Sequence, residues 1–178
     1  MQVRILQHYL KKYFQNNIMA LNSSILRSQL IMRFNNSNAT AQLAASNISN
    51  AFDIYIKSVQ NMAGGSYTGM PGISLLRSQL TSLFQRQKSN GNIIGQDITG
   101  YFQQCLLTLL TLYQTAPPTF LGLSVFQTKN RLLFSKYSST GVQFATELSN
   151  NIHNFVSTTN LSGITPVYPF PPFSGPAK

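Results

Sequence analysis

Apolar residues return at helical spacing in two kinds of stretch, one short and one long, that alternate along the chain. Leu21, Ile25, Leu26, Leu30 and Phe34 recur at helical spacing, which predicts a short helix. Asn35-Asn36-Ser37-Asn38 then supplies breakers and caps. Beyond it Ala41, Ala44, Ile48, Ala51, Phe52, Tyr55, Val59 and Met62 fall on one stripe that stops at Gly64-Gly65. That stripe predicts the core face of a second helix of about six turns. The plan then returns, with a short helix from about Ser74 to Gln87, a break over 88–92, and a longer helix carrying Ile94, Ile98, Tyr101, Phe102, Cys105, Leu109 and Leu112. Pro117-Pro118 should halt it, because proline has no amide to offer the next turn. A third pair is expected from about Leu123 to Ser157, broken between Ser138 and Gly141. Ahead of all three, Val3, Leu6, Tyr9, Leu10 and Tyr13 predict an amphipathic helix over 2–15.

The recurrence reaches individual residues. Residues 24–34, Ser-Ile-Leu-Arg-Ser-Gln-Leu-Ile-Met-Arg-Phe, and 74–84, Ser-Leu-Leu-Arg-Ser-Gln-Leu-Thr-Ser-Leu-Phe, agree at seven of eleven positions at an offset of 50. The same offset pairs Leu43 with Ile93, Ile48 with Ile98, Phe52 with Phe102, Ile56 with Leu106 and Val59 with Leu109. A second step of 50 leaves a fainter copy, with Phe134 under Phe84, Gly141 under Gly91, Ile152 under Phe102 and Val156 under Leu106. Identity fades there while apolar character persists, and self-similarity at a fixed period is the signature of a repeat architecture. The expected fold is therefore all-α: tandem helical hairpins with a period of about 50 residues, forming a bundle or a short solenoid. The units run over about 21–65, 71–115 and 121–158 of a domain spanning 1–160.

Residues 161–178 differ in kind. Five of the eight prolines fall there, interleaved with Tyr168, Phe170 and Phe173. Rings are costly to leave in water, and a proline-rich segment loses little entropy on docking. The stretch is expected to be an extended arm that presses those rings into a groove on this chain or on a neighbour.

Composition narrows the chemistry. Asn, Gln, Ser and Thr together make 65 of the 178 residues, whereas charged residues are 9 % and hydrophobic ones 43 %. The apolar share suits one folded domain. Carboxylates are confined to Asp53, Asp97 and Glu147, and imidazoles to His8 and His153. Asp97 and Glu147 are expected near helix beginnings, where negative charge meets the positive end of the helix dipole. Cys105 sits among leucines, the usual place of an inert thiol. One cysteine and two distant histidines do not give zinc-site spacing, and the glycines of 64–72 lack the lysine of a phosphate loop. The expectation is a protein without catalytic residues, metal or cofactor. No apolar stretch near Met1 resembles a signal-peptide core, and the most apolar window, Cys105 to Tyr113, is too short to span a bilayer. Export is not expected, nor is a membrane partner.

Thirteen Lys and Arg against three acids give a net charge of +10. Arg27 and Arg77 occupy equivalent repeat positions, and Arg86 and Lys88 form a local group around the end of the second short helix. These four cations are candidate contacts for an acidic protein surface or for phosphate. Neutral polar surfaces are buried against proteins at lower desolvation cost than charged ones, which favours protein partners. In being small, basic, amide- and hydroxyl-rich and extended by an aromatic, proline-rich tail, the chain resembles minor capsid proteins of large icosahedral DNA viruses. The resemblance implies a structural role in the virion, beneath or between major capsomers, with the major capsid protein and other minor capsid proteins as partners. It transfers no functional residue. The candidate anchors come from chemistry: Tyr168, Phe170 and Phe173, with Arg27, Arg77, Arg86 and Lys88 as electrostatic contacts. Two alternatives stand beside it. One is a nucleic-acid-associated packaging protein, and the other an accessory helical subunit of a membrane-bound organellar complex that uses 105–113.

Overall fold

Three polar side chains spaced fifty residues apart start the long helices. Thr40 Oγ1 accepts from the Leu43 amide, Asn90 Oδ1 from the Asn92 amide, and Thr140 Oγ1 from the Gln143 amide. Each satisfies an orphan donor of the first helical turn, and Gln143 returns the bond to complete a capping box at Thr140. The computed structural model describes residues 21–34, 40–86, 90–136, 140–166 and 171–178. Within them lie α1 (Ser23–Phe34), α2 (Ala41–Ile56), β1 (Tyr67–Gly69), α3 (Ile73–Gln85), α4 (Gly91–Leu106), β2 (Leu110–Thr111), β3 (Thr119–Phe120), α5 (Leu123–Ser135), α6 (Gly141–Ser157), β4 (Thr159–Ile164) and β5 (Pro172–Pro176). The helix expected over 2–15 lies outside the described residues.

The hairpins α1–α2, α3–α4 and α5–α6 follow the expected period. Contacts between successive hairpins, α2 with α3 and α4 with α5, are more extensive than those inside a hairpin, and α6 packs on α1 to close the series. The buried stripes recur at the same offset: Leu26, Leu76 and Phe126; Ile48, Ile98 and Leu148; Ile56, Leu106 and Val156. Phe52 meets Phe102 edge-on at 4.9 Å, Phe102 meets Phe126 at 6.0 Å, and Phe126 stacks on Phe155 at 4.4 Å, so one aromatic run crosses all three hairpins. Edge-on and offset-stacked pairs suit the ring quadrupole and add to the area they bury. A Cβ on Gly95 would stand 2.5 Å from the Arg131 nitrogen, and one on Gly91 would run into the Phe134 carbonyl. The two glycines let α5 press its backbone against α4.

The fold is mostly helical without being purely α. β1 pairs antiparallel with β2, and β3, β4 and β5 make a three-stranded antiparallel sheet. All these strands follow the ends of the long helices, so they gather at one end of the molecule. The long helices also stop earlier than their apolar period suggested. α2 ends at Ile56 instead of near Met62, and α4 at Leu106, well ahead of Pro117. Val59 and Leu109 continue the helical spacing and are buried, yet they plug the core from turns. Their neighbours' backbone groups then find partners on other repeats, as Tyr67 does opposite Thr111. The apolar window 105–113 is accordingly split between a helix end, a turn and β2.

The segment expected as an extended arm folds back. Ile164 pairs with Pro172, Gly163 with Phe173 and Leu161 with Gly175, and the backbone of Lys178 exchanges both hydrogen bonds with Gln60 of the first repeat. Thr159, Leu161 and Gly163 point inward while Asn160, Ser162 and Ile164 are more open, a two-residue alternation that a sheet with one buried face requires.

Candidate interaction surface

The acidic residues are consumed by ion pairs that themselves repeat. Asp97 meets Arg86 at 2.7 Å and Glu147 meets Lys136 at 2.8 Å, with identical sequence separations, while Arg33 reaches toward Asn47 at the equivalent place of the first hairpin. Each tie joins the end of a short helix to the side of the long one. Asp97 and Glu147 lie two turns inside α4 and α6, outside the first turns, so the dipole role expected for them gives way to this clasp. Asp53 is held by Lys57 at 2.7 Å, one turn along α2. These pairs are exposed and add little stability each.

The candidate cations divide. Arg77 turns back onto α2, its Nε donating to Ser49 Oγ at 3.2 Å and its Nη2 to Asn50 Oδ1, so it ties the first hairpin to the second. Arg86 is held by Asp97 and by the Tyr101 hydroxyl at 3.4 Å. Arg27 is exposed on α1 and pairs with no carboxylate among the described residues. The described contacts do not join Arg27, Arg77 and Arg86 into one stripe. Of the aromatic anchors, Phe173 is half-buried in β5, its ring close against Gly163. Tyr168, Phe170 and Lys88 lie outside the described residues.

Sequence reasoning missed the apolar end. Met62, Leu112, Tyr113 and Ile164 are exposed where the strands gather. The Asn61 side chain donates to the Leu112 carbonyl, and the Ile164 amide donates to the Tyr113 carbonyl, which brings these residues together from all three repeats. Tyr113 has φ 67°, in the left-handed region that a bulky side chain avoids. Gly163 packs so tightly on the Tyr113 carbonyl that a Cβ there would overlap it. Nothing in the sequence marks this end, because its members meet only after the repeats close.

Tyr55 is buried and its hydroxyl lies 2.8 Å from His153 Nδ1. Burial lowers the His153 pKa and pushes the Tyr55 phenol up. Burial, with a smaller contribution from the Asp53 charge, pushes the Cys105 thiol up to about 12. Asp97 borders a surface depression between α4 and α5, its carboxylate tied to Arg86. Among the described residues no three His, Cys, Asp or Glu side chains converge as metal ligands would, and no helix is long and apolar enough to cross a membrane. No family model, curated protein or solved structure matches this chain.

Proposed function

We propose that the chain is a non-enzymatic structural protein of a large assembly, of the minor capsid kind, that bridges neighbouring subunits. The observation that carries this reading is the apolar end, where Met62, Leu112, Tyr113 and Ile164 face outward around a backbone that stores strain at Tyr113. Contiguous exposed apolar residues mark surfaces that a partner covers, and strained residues persist where function holds them. The charge pattern supports the same reading. With the acids tied up in ion pairs, Arg27, Lys129 and Arg131 are exposed and without a carboxylate partner among the described residues, which suits an acidic neighbour.

The folded-back tail changes how bridging works. β5 contributes to the apolar end as part of the folded unit, so the contact is a preformed face whose ordering entropy is already met by folding. The experiment is incorporation into the parent assembly of Leu112→Lys and Tyr113→Gly. Both should fold and both should drop out of the assembly. Full incorporation of the two variants would overturn the reading.

A further inference from the structure

The third hairpin departs from the other two along the seam between α5 and α6. Where the first and second repeats carry Gln29-Leu30 and Gln79-Leu80, the third carries Lys129-Asn130, and Asn151 stands where Ala51 and Tyr101 stand. In the second hairpin Tyr101 and Arg86 occupy the corresponding place, their polar ends 3.4 Å apart. In the third, two adjoining depressions of about 230 and 380 Å³ open between the helices and share Lys129, Asn151 and Asn154. Val125, Lys129 and Leu132 line them from α5 at helical spacing and Lys136 from its C-cap, so they read as one groove along the seam. From Gly122 to Lys136 that groove runs about 21 Å at the rise of an α-helix, enough for about six residues of extended chain.

One of its polar groups has a fixed orientation. Thr99 Oγ1 donates to the Gly95 carbonyl at 2.8 Å, so toward Asn130 it must accept, and it does so from Asn130 Nδ2 at 3.2 Å. That turns Asn130 Oδ1 toward Asn151, whose Nδ2 donates to it at 3.2 Å. The relay is buried, and it leaves Asn151 Oδ1 as an acceptor without a hydrogen-bond partner among the described residues, on a side chain that borders both depressions. A fixed outward acceptor suits an N–H donor. Lys129 beside it is exposed and has no carboxylate partner among the described residues, whereas Lys136 is paired with Glu147. Val125 and Leu132 add exposed apolar surface on the same wall.

We propose that the α5–α6 seam binds an extended acidic peptide segment of a partner protein. Asn151 Oδ1 accepts from a backbone N–H of the segment, the Lys129 ammonium meets one of its carboxylates, and Val125 and Leu132 take apolar side chains. The assignment rests on the assembly reading only for the identity of the protein that owns the peptide.

The test uses the full chain and a labelled, capped hexapeptide of alternating leucine and aspartate, followed by fluorescence anisotropy. Saturable binding is expected. It should weaken at least tenfold in Lys129→Glu and in Leu132→Lys, two exposed positions whose substitution leaves the core intact, and a leucine–lysine hexapeptide should not bind. Amide NMR shifts should move in α5 and α6. No binding at millimolar peptide, binding that survives Lys129→Glu unchanged, or capture of inorganic phosphate or a free hexose in place of the peptide would each overturn the proposal. The titration needs no assembly. A silent groove with intact incorporation therefore removes this inference alone, and failure of the Leu112 and Tyr113 variants to drop out removes the assembly reading alone.

Discussion

The Tyr55 hydroxyl and His153 Nδ1 lie 2.8 Å apart, a hydrogen bond that joins the first repeat to the third across 98 positions of sequence. Tyr55 is fully buried, and burial lowers the His153 pKa, so near neutrality the imidazole is uncharged and shares one hydrogen bond with the neutral phenol. The folded pKa of His153 lies below its unfolded value of 6.5. As pH falls the unfolded chain takes up this proton first, so stability is fully present above that value and is lost as pH drops through the lowered folded one. The urea midpoint should therefore fall between about pH 8 and about pH 5, the range in which histidine titrates. The fall should be shallower in His153→Gln, which installs the residue that Gln103 supplies at the equivalent place. An identical pH dependence in that variant would show that His153 titrates alike in both states.

Two glycines of α4 should respond oppositely to alanine. A Cβ on Gly95 would lie 2.5–2.6 Å from backbone atoms of Asn130 and Arg131, which cannot step aside without moving α5. Overpacking of this kind costs about 1–3 kcal/mol. Gly100 is in the same helix with open space around its Cβ position, and alanine there should stabilise by about 0.5–1 kcal/mol. Denaturant titration of the two variants separates the cases, and equal effects would contradict the close approach of α4 and α5.

Cys105 should be silent to thiol reagents in the native protein. The thiolate is the reactive species, and burial with the Asp53 charge holds the thiol up at about 12. Modification by iodoacetamide near neutral pH should therefore track global unfolding, with full labelling only in denaturant. Rapid labelling of the folded chain would refute the placement of this side chain in the core.

Much of this architecture is written in the sequence as repetition. The cap residues Thr40, Asn90 and Thr140, and the aromatic positions Phe34, Phe84 and Phe134, recur because each hairpin solves the same local problem of starting one helix and ending another. Helix ends were illegible because Val59 and Leu109 keep the helical period while packing from turns. The strands were hidden differently. Thr159, Leu161 and Gly163 alternate inward with a period of two, but the prolines that follow make the tail look like a free arm, and only the pairing of Lys178 with Gln60 shows where it goes. The apolar end draws residues from all three repeats, so no local pattern announces it. The amide seam left a trace, since Lys129-Asn130 breaks a Gln-Leu pair seen twice before, yet its meaning depends on Asn151 arriving from another helix.

Tyr113 is the sharpest test of whether strain is kept for use. Its φ of 67° costs about 1–2 kcal/mol for an ordinary side chain, and glycine adopts that conformation freely. The residue is 43 % exposed, so removing its ring takes away less packing than at a core position. Tyr113→Gly should match or exceed the parent in thermal stability, by up to about 1 kcal/mol once the greater entropy of unfolded glycine is set against the relieved strain. Tyr113→Ala keeps the strain and loses the ring, and should be the less stable of the two. The reverse order would mean that the positive φ at this position costs a residue with a Cβ little.

Asn130 offers a cycle in which each single change should hurt and the pair should not. It is fully buried, bonded to Thr99 on α4 and to Asn151 on α6, at the position where the first two repeats place Leu30 and Leu80. Asn130→Leu restores the repeat but strands the Asn151 amide, and leaving a buried polar group unmatched costs about 1–3 kcal/mol. Asn151→Ala, the residue of the first repeat, strands Asn130 in turn. The double variant removes both partners and reproduces the first hairpin's Leu-and-Ala pair, so its stability should return to within about 1 kcal/mol of the parent, with a coupling of opposite sign to the single losses. Simple additivity of the two losses would show that the amides act independently and that Asn151 is not oriented by the relay.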